Sequence, residues 1–119
     1  MNQWDTLYDH LANKGFSVYS PGQHKGECQS PYVVARYSGT SPISTFTSTQ
    51  DRYELLCYVP EKNYSQLQGY SLSVKEAMRE LYPVFVPTGF ETAAFYDDKV
   101  KAHMVSIEYR NNVQNKPNH

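Results

Sequence analysis

A chain of 119 residues is one domain's worth of sequence, able to bury roughly two-thirds of its unfolded surface. Eleven Lys and Arg against twelve Asp and Glu give a formal net charge of −1, which excludes a broadly basic nucleic-acid- or membrane-binding surface, and 39% apolar residues exclude an acidic disordered chain. No apolar run approaches a membrane span, Met1-Asn2-Gln3-Trp4-Asp5 lacks the basic-then-apolar pattern of a signal peptide, and two cysteines are too few for a disulfide scaffold, so a soluble protein made in a cytoplasm is expected.

Residues 3–14 are predicted to be a helix, because Trp4, Leu7, Tyr8 and Leu11 fall on one face. Asn2 suits its N-cap, Asp5 its first turn, and Lys14-Gly15 its end. Residues 16–19 alternate as a strand. Residues 20–31, with Pro21, Gly22, Gly26 and Pro31, are a long polar loop holding Cys28. Residues 32–38 are predicted to be a central strand. The Ser/Thr-rich stretch 39–50 reads as a hairpin tip or flexible arm anchored only by Ile43 and Phe46.

Residues 52–59 form the strongest predicted strand. Tyr53, Leu55, Cys57 and Val59 share one face, Leu56 and Tyr58 the other, so both faces should be covered; Pro60 stops it. A second helix is predicted over 63–81, ended by Pro83. Val84-Phe85-Val86 reads as a short strand and Pro87-Thr88-Gly89 as a turn. Residues 90–96 begin a hairpin whose turn is Asp97-Asp98-Lys99, and residues 102–109 are the last strand. Residues 111–119 carry no core potential and read as a tail that only neighbouring subunits would order. The expected architecture is a single α+β domain over 1–110, two-layered, with helices on a mainly antiparallel sheet in the order α-β-β-β-α-β-β.

Eleven Tyr, five Phe and one Trp, at a mean hydropathy of −0.66, point to surfaces covered by other proteins. Catalytic patterns are weak. His10, His24, His103 and His119 make no metal-ligand spacing beyond His24 with Cys28, and no second pair would complete such a site. No nucleophile elbow occurs, and Asp97-Asp98 reads as a solvated turn. The two glycines and lysine of residues 20–26 precede a strand, where a phosphate cradle needs a helix. No catalytic residue, cofactor or metal is assigned.

Several segments, Val18-Tyr19-Ser20-Pro21-Gly22-Gln23-His24-Lys25-Gly26-Glu27-Cys28, Pro31-Tyr32-Val33-Val34, Leu56-Cys57-Tyr58-Val59-Pro60, Pro87-Thr88-Gly89 and Tyr96-Asp97-Asp98-Lys99-Val100-Lys101-Ala102-His103-Met104, span nearly the whole chain. In them the sequence resembles the tail-terminator family of long-tailed phages, prophages of Gram-positive bacteria and phage-tail-like bacteriocins. That resemblance implies a non-enzymatic virion protein at the tail–head junction. Its expected form is a homo-oligomeric ring of six that caps the tail tube, fixes tail length and meets a head-side connector. It would also touch sheath protein in a contractile tail, and let duplex DNA pass without sequence-specific binding; no membrane is involved. Interface candidates are Pro21, Gly22, Gln23, His24, Lys25, Ile43, Phe46, Tyr96, Asp97, Asp98, Lys99 and Val113, with Lys25, Lys99 and Lys101 facing either luminal DNA or acidic partners. The alternatives are another neck protein, such as a head–tail connector or head-completion ring, and a small enzyme or ligand-binding module. The last would require Asp97, Asp98, His103 and His24 to meet in one cleft.

Overall fold

The computed structural model of the chain describes residues 3–42 and 48–114. In chain order these form α1 (Trp4–Asn13), β1 (Val18–Tyr19), β2 (Tyr32–Pro42), β3 (Ser48–Pro60), a 3-10 turn (Glu61–Gln66), α2 (Leu67–Met78), a second 3-10 turn (Arg79–Leu81), β4 (Val86–Glu91), β5 (Phe95–Asp97) and β6 (Ala102–Gln114). The α+β reading and its element order hold, with one short strand added before the last. The sheet runs β1-β2-β3-β6-β4, with β5 also on β6; every pairing is antiparallel except β1 with β2.

The alternation of β3 sets the two faces. Tyr53, Leu55, Cys57 and Val59 are fully buried on the front face, under α1 and α2. Val33 and Ala35 of β2, and Val105, Ile107 and Tyr109 of β6, share it with Leu7 and Leu11 of α1 and Leu67, Val74 and Met78 of α2. Each fully buried Leu contributes roughly 1.5–3 kcal/mol relative to exposure. The helices are tied to each other by His10 Nε2 on the Ala77 carbonyl at 2.7 Å and by Lys14 with Glu80 at 2.6 Å. The start of α1 is tied to the sheet: the Gln3 N–H donates to the Tyr53 hydroxyl at 2.8 Å and Trp4 Nε1–H to the Ala35 carbonyl at 2.8 Å. The back face carries a second, smaller core of Cys28, Tyr32, Tyr58, Ala102 and Met104, so both faces of β3 are covered as its sequence predicts.

Five local expectations change. The first strand shortens to Val18–Tyr19, because the Phe16 N–H closes the end of α1 on the Leu11 carbonyl. The second helix is regular only over Leu67–Met78, flanked by 3-10 turns. Val84 and Phe85 belong to a turn in which their N–H groups both bond the Leu81 carbonyl, and Pro87-Thr88-Gly89 lie inside β4. Pro87 is tolerated there because β4 is an edge strand. The 39–50 arm is strand on both sides: β2 runs to Pro42 and β3 starts at Ser48. The start of the expected tail is also strand, since Asn111, Asn112, Val113 and Gln114 pair with Asp51, Gln50, Thr49 and Ser48 of the same chain. Backbone pairing with β3, which needs no apolar side chains, orders this segment within the subunit. The proposed cap Asn2, the anchors Ile43 and Phe46, and residues 115–119 lie outside the described residues.

Candidate interaction surfaces

β3 and β6 are 13 residues each and run the length of the sheet, so at about 3.3 Å per residue their two ends stand about 40 Å apart. One end gathers the expected loop surfaces. The Cys28 N–H donates to the Val100 carbonyl at 2.7 Å, which brings loop 20–31 against turn 98–101, and Glu61 N–H bonds the Lys101 carbonyl at 3.2 Å. Pro21, Gly22, Gln23 and Lys25 are exposed. Gln23 Oε1 closes their turn by accepting the N–H of Ser20 at 2.8 Å and its hydroxyl at 3.1 Å, and Gly22 holds the φ of +77° that this turn needs. His24 is half-buried instead of projecting. Its ring stacks on Tyr32 at 4.1 Å and meets Tyr19 edge-on at 5.0 Å, which pins the loop to the back face.

The two adjacent aspartates act separately. Asp97 Oδ1 accepts the Lys99 N–H at 3.0 Å, while Asp98 pairs with Lys101 at 3.3 Å. Lys101 itself takes the left-handed conformation at φ +53°. Tyr96 is exposed, reaches Glu61 at 3.3 Å and packs its ring near His103. His103 lies on the front side of β6, between Tyr64 and Tyr96, whereas His24 packs on the back face. Asp97, Asp98, His24 and His103 therefore do not share a cleft. Among the described residues no three His, Cys, Asp or Glu side chains cluster as a metal site.

The opposite end is the three-stranded ribbon of β2, β3 and β6 beyond residues 39, 52 and 110, where Val113 sits opposite Thr49. Asp51 is buried in it, held by the Thr40 hydroxyl at 2.6 Å and the Tyr37 hydroxyl at 3.1 Å; Tyr37 and Thr40 also bond each other. Asn111, buried beside it, donates to the Val84 carbonyl at 2.6 Å and so fixes the 82–85 turn over the ribbon.

Between the ends, the back face carries a lattice of charge. Register places Glu54 opposite Glu108 and Arg52 opposite Arg110, like against like. Two pairings resolve it: Arg52 reaches diagonally to grip both oxygens of Glu108 at 3.0 Å, and Arg36, directly opposite on β2, pairs with Glu54. Ser106 and Ser38 add hydroxyl bonds to Glu54 at 3.0 and 3.1 Å, and Thr88 adds one to Glu108 at 2.7 Å. Burial alone would raise both carboxyls. The guanidinium and hydroxyl bonds outweigh it, Arg36 and Ser106 on Glu54 and Arg52 and Thr88 on Glu108, and hold both below the ordinary carboxylate value.

The lateral flanks differ most. Tyr64, Tyr82, Val84, Phe90, Phe95 and Tyr96, six of the large apolar side chains left exposed, lie on or beside the β4–β5 edge. Between that edge and α2 runs an apolar groove of about 530 Å³, walled by Met78, Tyr82, Phe85, Phe90, Ile107 and Tyr109. Lys75 and Glu91, 2.5 Å apart, close one end, and a smaller cavity of about 340 Å³ continues beyond Glu91 along Leu67, Ser71 and Val105. A sheet wider than its two-helix layer leaves this strip uncovered. The other flank is the outer edge of β2: β1 covers only Val33 and Val34, and among the described residues no strand pairs with its outer side from Arg36 to Pro42.

The groove and the charge lattice were not visible in the sequence. Tyr82, Phe85 and Phe90 stand out as rings near Pro83, Pro87 and Gly89, but nothing local says that they line one wall. The lattice depends on the β3–β6 register. No protein-family model and no curated protein matches the chain. Among the described residues no helix is long and apolar enough to cross a membrane.

Proposed function

We propose that this protein is a structural assembly subunit of the tail-terminator type, which forms a ring on the end of a tubular polymer, stops its growth and offers its other side to a connector. The observation that carries the reading is the two-ended body. Strands about 40 Å long separate a compact loop surface, built from residues 20–31, 60–63 and 97–101, from a protruding three-stranded ribbon. A terminator must bind a tube end with one surface and present a different one beyond it. A subunit whose two axial ends share no structure meets that requirement. The reading is of a binding protein: Glu54 and Glu108 are held in ion pairs with Arg36 and Arg52, Asp97 closes a turn on the Lys99 N–H, and His24 is stacked on Tyr32, away from His103.

The test is co-assembly with a tail-tube protein. Polymerisation of the tube protein with and without this chain, followed by length measurement in negative stain, is expected to give short capped tubes and a ring at one end. Tubes of unchanged length with no ring would sink the reading. A ring bound to portal or adaptor protein with tube length unaffected would favour the connector alternative.

A further inference from the structure

Among the described residues, the outer side of β6 is covered from Ala102 to Arg110, while no strand pairs with the outer side of β2 from Arg36 to Pro42. On β6, β5 covers Ala102 to Met104, Thr92 exchanges bonds of 3.0 Å with both the N–H and carbonyl of Ser106, and β4 covers Ile107 to Arg110. On β2, coverage ends where Trp4 takes the Ala35 carbonyl. Bare edges of this length are normally blunted or partnered.

We propose that the β4 flank of one copy docks against the bare β2 edge of a second copy, so that Tyr37, Trp4 and Tyr8 of the second cover the apolar groove of the first. This rests on the reading of the chain as a ring subunit, and it specifies the surface that closes the ring. Three observations carry it.

The first is level. Register puts Tyr37, Tyr53, Tyr109 and Pro87 on one rung across β2, β3, β6 and β4, and Gly39, Arg52, Arg110 and Val86 on the next. The two edges therefore stand at the same height along the strands. A neighbour placed edge to edge is related by rotation with little rise, the condition under which a head-to-tail contact closes into a ring. The second is direction. β2 is antiparallel to β3, β3 to β6 and β6 to β4, so β4 beside a neighbour's β2 continues the antiparallel sheet. The third is face. The groove opens on the front side of β4, and Tyr37, 37% exposed, lies on the front side of β2 next to α1, where Trp4 and Tyr8 pack together with ring centroids 5.0 Å apart. Pro87 has no N–H to give, so the joint is short of hydrogen bonds and the covered aromatic area holds it. Pairing of β2 with β2 of another copy would leave the six exposed side chains of the β4–β5 flank and the groove uncovered.

Ser38 and Thr88 test the contact. Both are exposed on the back face, and they bond Glu54 and Glu108, which oppose each other in register. In assembled rings treated with a short bis-maleimide, a mixture of S38C and T88C chains is expected to give a cross-linked dimer. The S38C/T88C double variant is expected to give a ladder up to the closed ring, and each single variant alone no product. Self-cross-linking of S38C, or rings that form with no S38C–T88C product, would overturn the contact while leaving the ring standing. Failure of wild-type chains to form rings on tube ends would remove the ring reading and this contact with it. As a second arm, Phe90→Asp, at a side chain 58% exposed, should leave the monomer folded and lower ring formation roughly tenfold or more. Unchanged ring formation would count against the groove as the contact.

Discussion

Phe85 and Phe90 line the same groove and differ in what they support. Phe85 is 1% exposed and meets Tyr53 edge-on, with ring centroids 5.2 Å apart, at the point where the 82–85 turn folds over the sheet. Truncating a buried Phe to Ala costs about 3–5 kcal/mol, the transfer of the ring plus the cavity left behind. Here the cavity would open into the groove, where water can enter, which places the cost near the lower end, about 3 kcal/mol. For a domain of this size that is a fall in Tm of about 10 °C. Phe90→Ala, on the open rim, should stay within about 0.5 kcal/mol, or about 2 °C. Differential scanning calorimetry of the two variants, with urea titration to confirm an unchanged m-value, reads both numbers. A fall of less than about 3 °C for Phe85→Ala, under 1 kcal/mol, would show that the ring is not packed against Tyr53. Equal losses for the two variants would show that the groove is closed and its rim is core.

Three further outcomes follow from the same geometry. Glu54 and Glu108 have folded-state pKa values below their ordinary value of 4.5, so the stability they confer is complete above about pH 4.5 and is lost as pH falls through their folded values. Urea titrations at neutral pH and near pH 3.5 should show that loss, and the E54Q/E108Q double variant should flatten it; an undiminished loss would place the acid sensitivity elsewhere. Burial pushes the thiol of the fully buried Cys57 up to about 12, and burial raises Cys28 against a weaker opposing bond to Ser30, so neither should react with Ellman's reagent at pH 8 unless the chain unfolds. Rapid native labelling of both would contradict the two cores. Gly39 holds φ +108° at the β2 bulge with open space around its missing Cβ, so Gly39→Ala carries a backbone cost alone, about 1–2 kcal/mol, measurable as a lower urea midpoint. An unchanged midpoint would mean that the bulge relaxes.

Strong periodicity carried most of the fold. The alternation of Tyr53, Leu55, Cys57 and Val59 and the helical spacing of Trp4, Leu7, Tyr8 and Leu11 place those residues on the faces they occupy. The misses share a cause: the structure is set by partners distant in sequence. Residues 111–114 look like tail because Asn-Asn-Val-Gln has no apolar face, and they become strand because β3 extends far enough to pair with them. Val84-Phe85-Val86 has strand composition, but its turn is held by Leu81 and Asn111. The loop candidates were legible from Pro, Gly and charge, and the structure brings loop 20–31 and turn 98–101 together. The β4–β5 flank was not, because no local pattern reports which exposed rings stand side by side.

Charge at the loop end bears on whether Lys25, Lys99 and Lys101 serve passing DNA. Lys25, Lys62, Lys99 and Lys101 share that end with Glu27, Glu61, Asp97 and Asp98, four cations against four anions, and Lys101 is already paired with Asp98. On the back face, Arg36 and Arg52 are paired with Glu54 and Glu108, and Arg110 lies opposite Arg52 as a third cation. Affinity for duplex DNA comes chiefly from cations that displace counterions from phosphate, and each such contact steepens the salt dependence by about 0.9 in log K against log salt. Balanced surfaces displace few. Free subunits are therefore expected to bind a fluorescent duplex no more tightly than about 10⁻⁴ M at physiological salt, with a shallow salt slope. The triple variant K25E/K99E/K101E should bind no worse within error. Micromolar binding, a slope of several units and its loss in the triple variant would assign the three lysines to DNA.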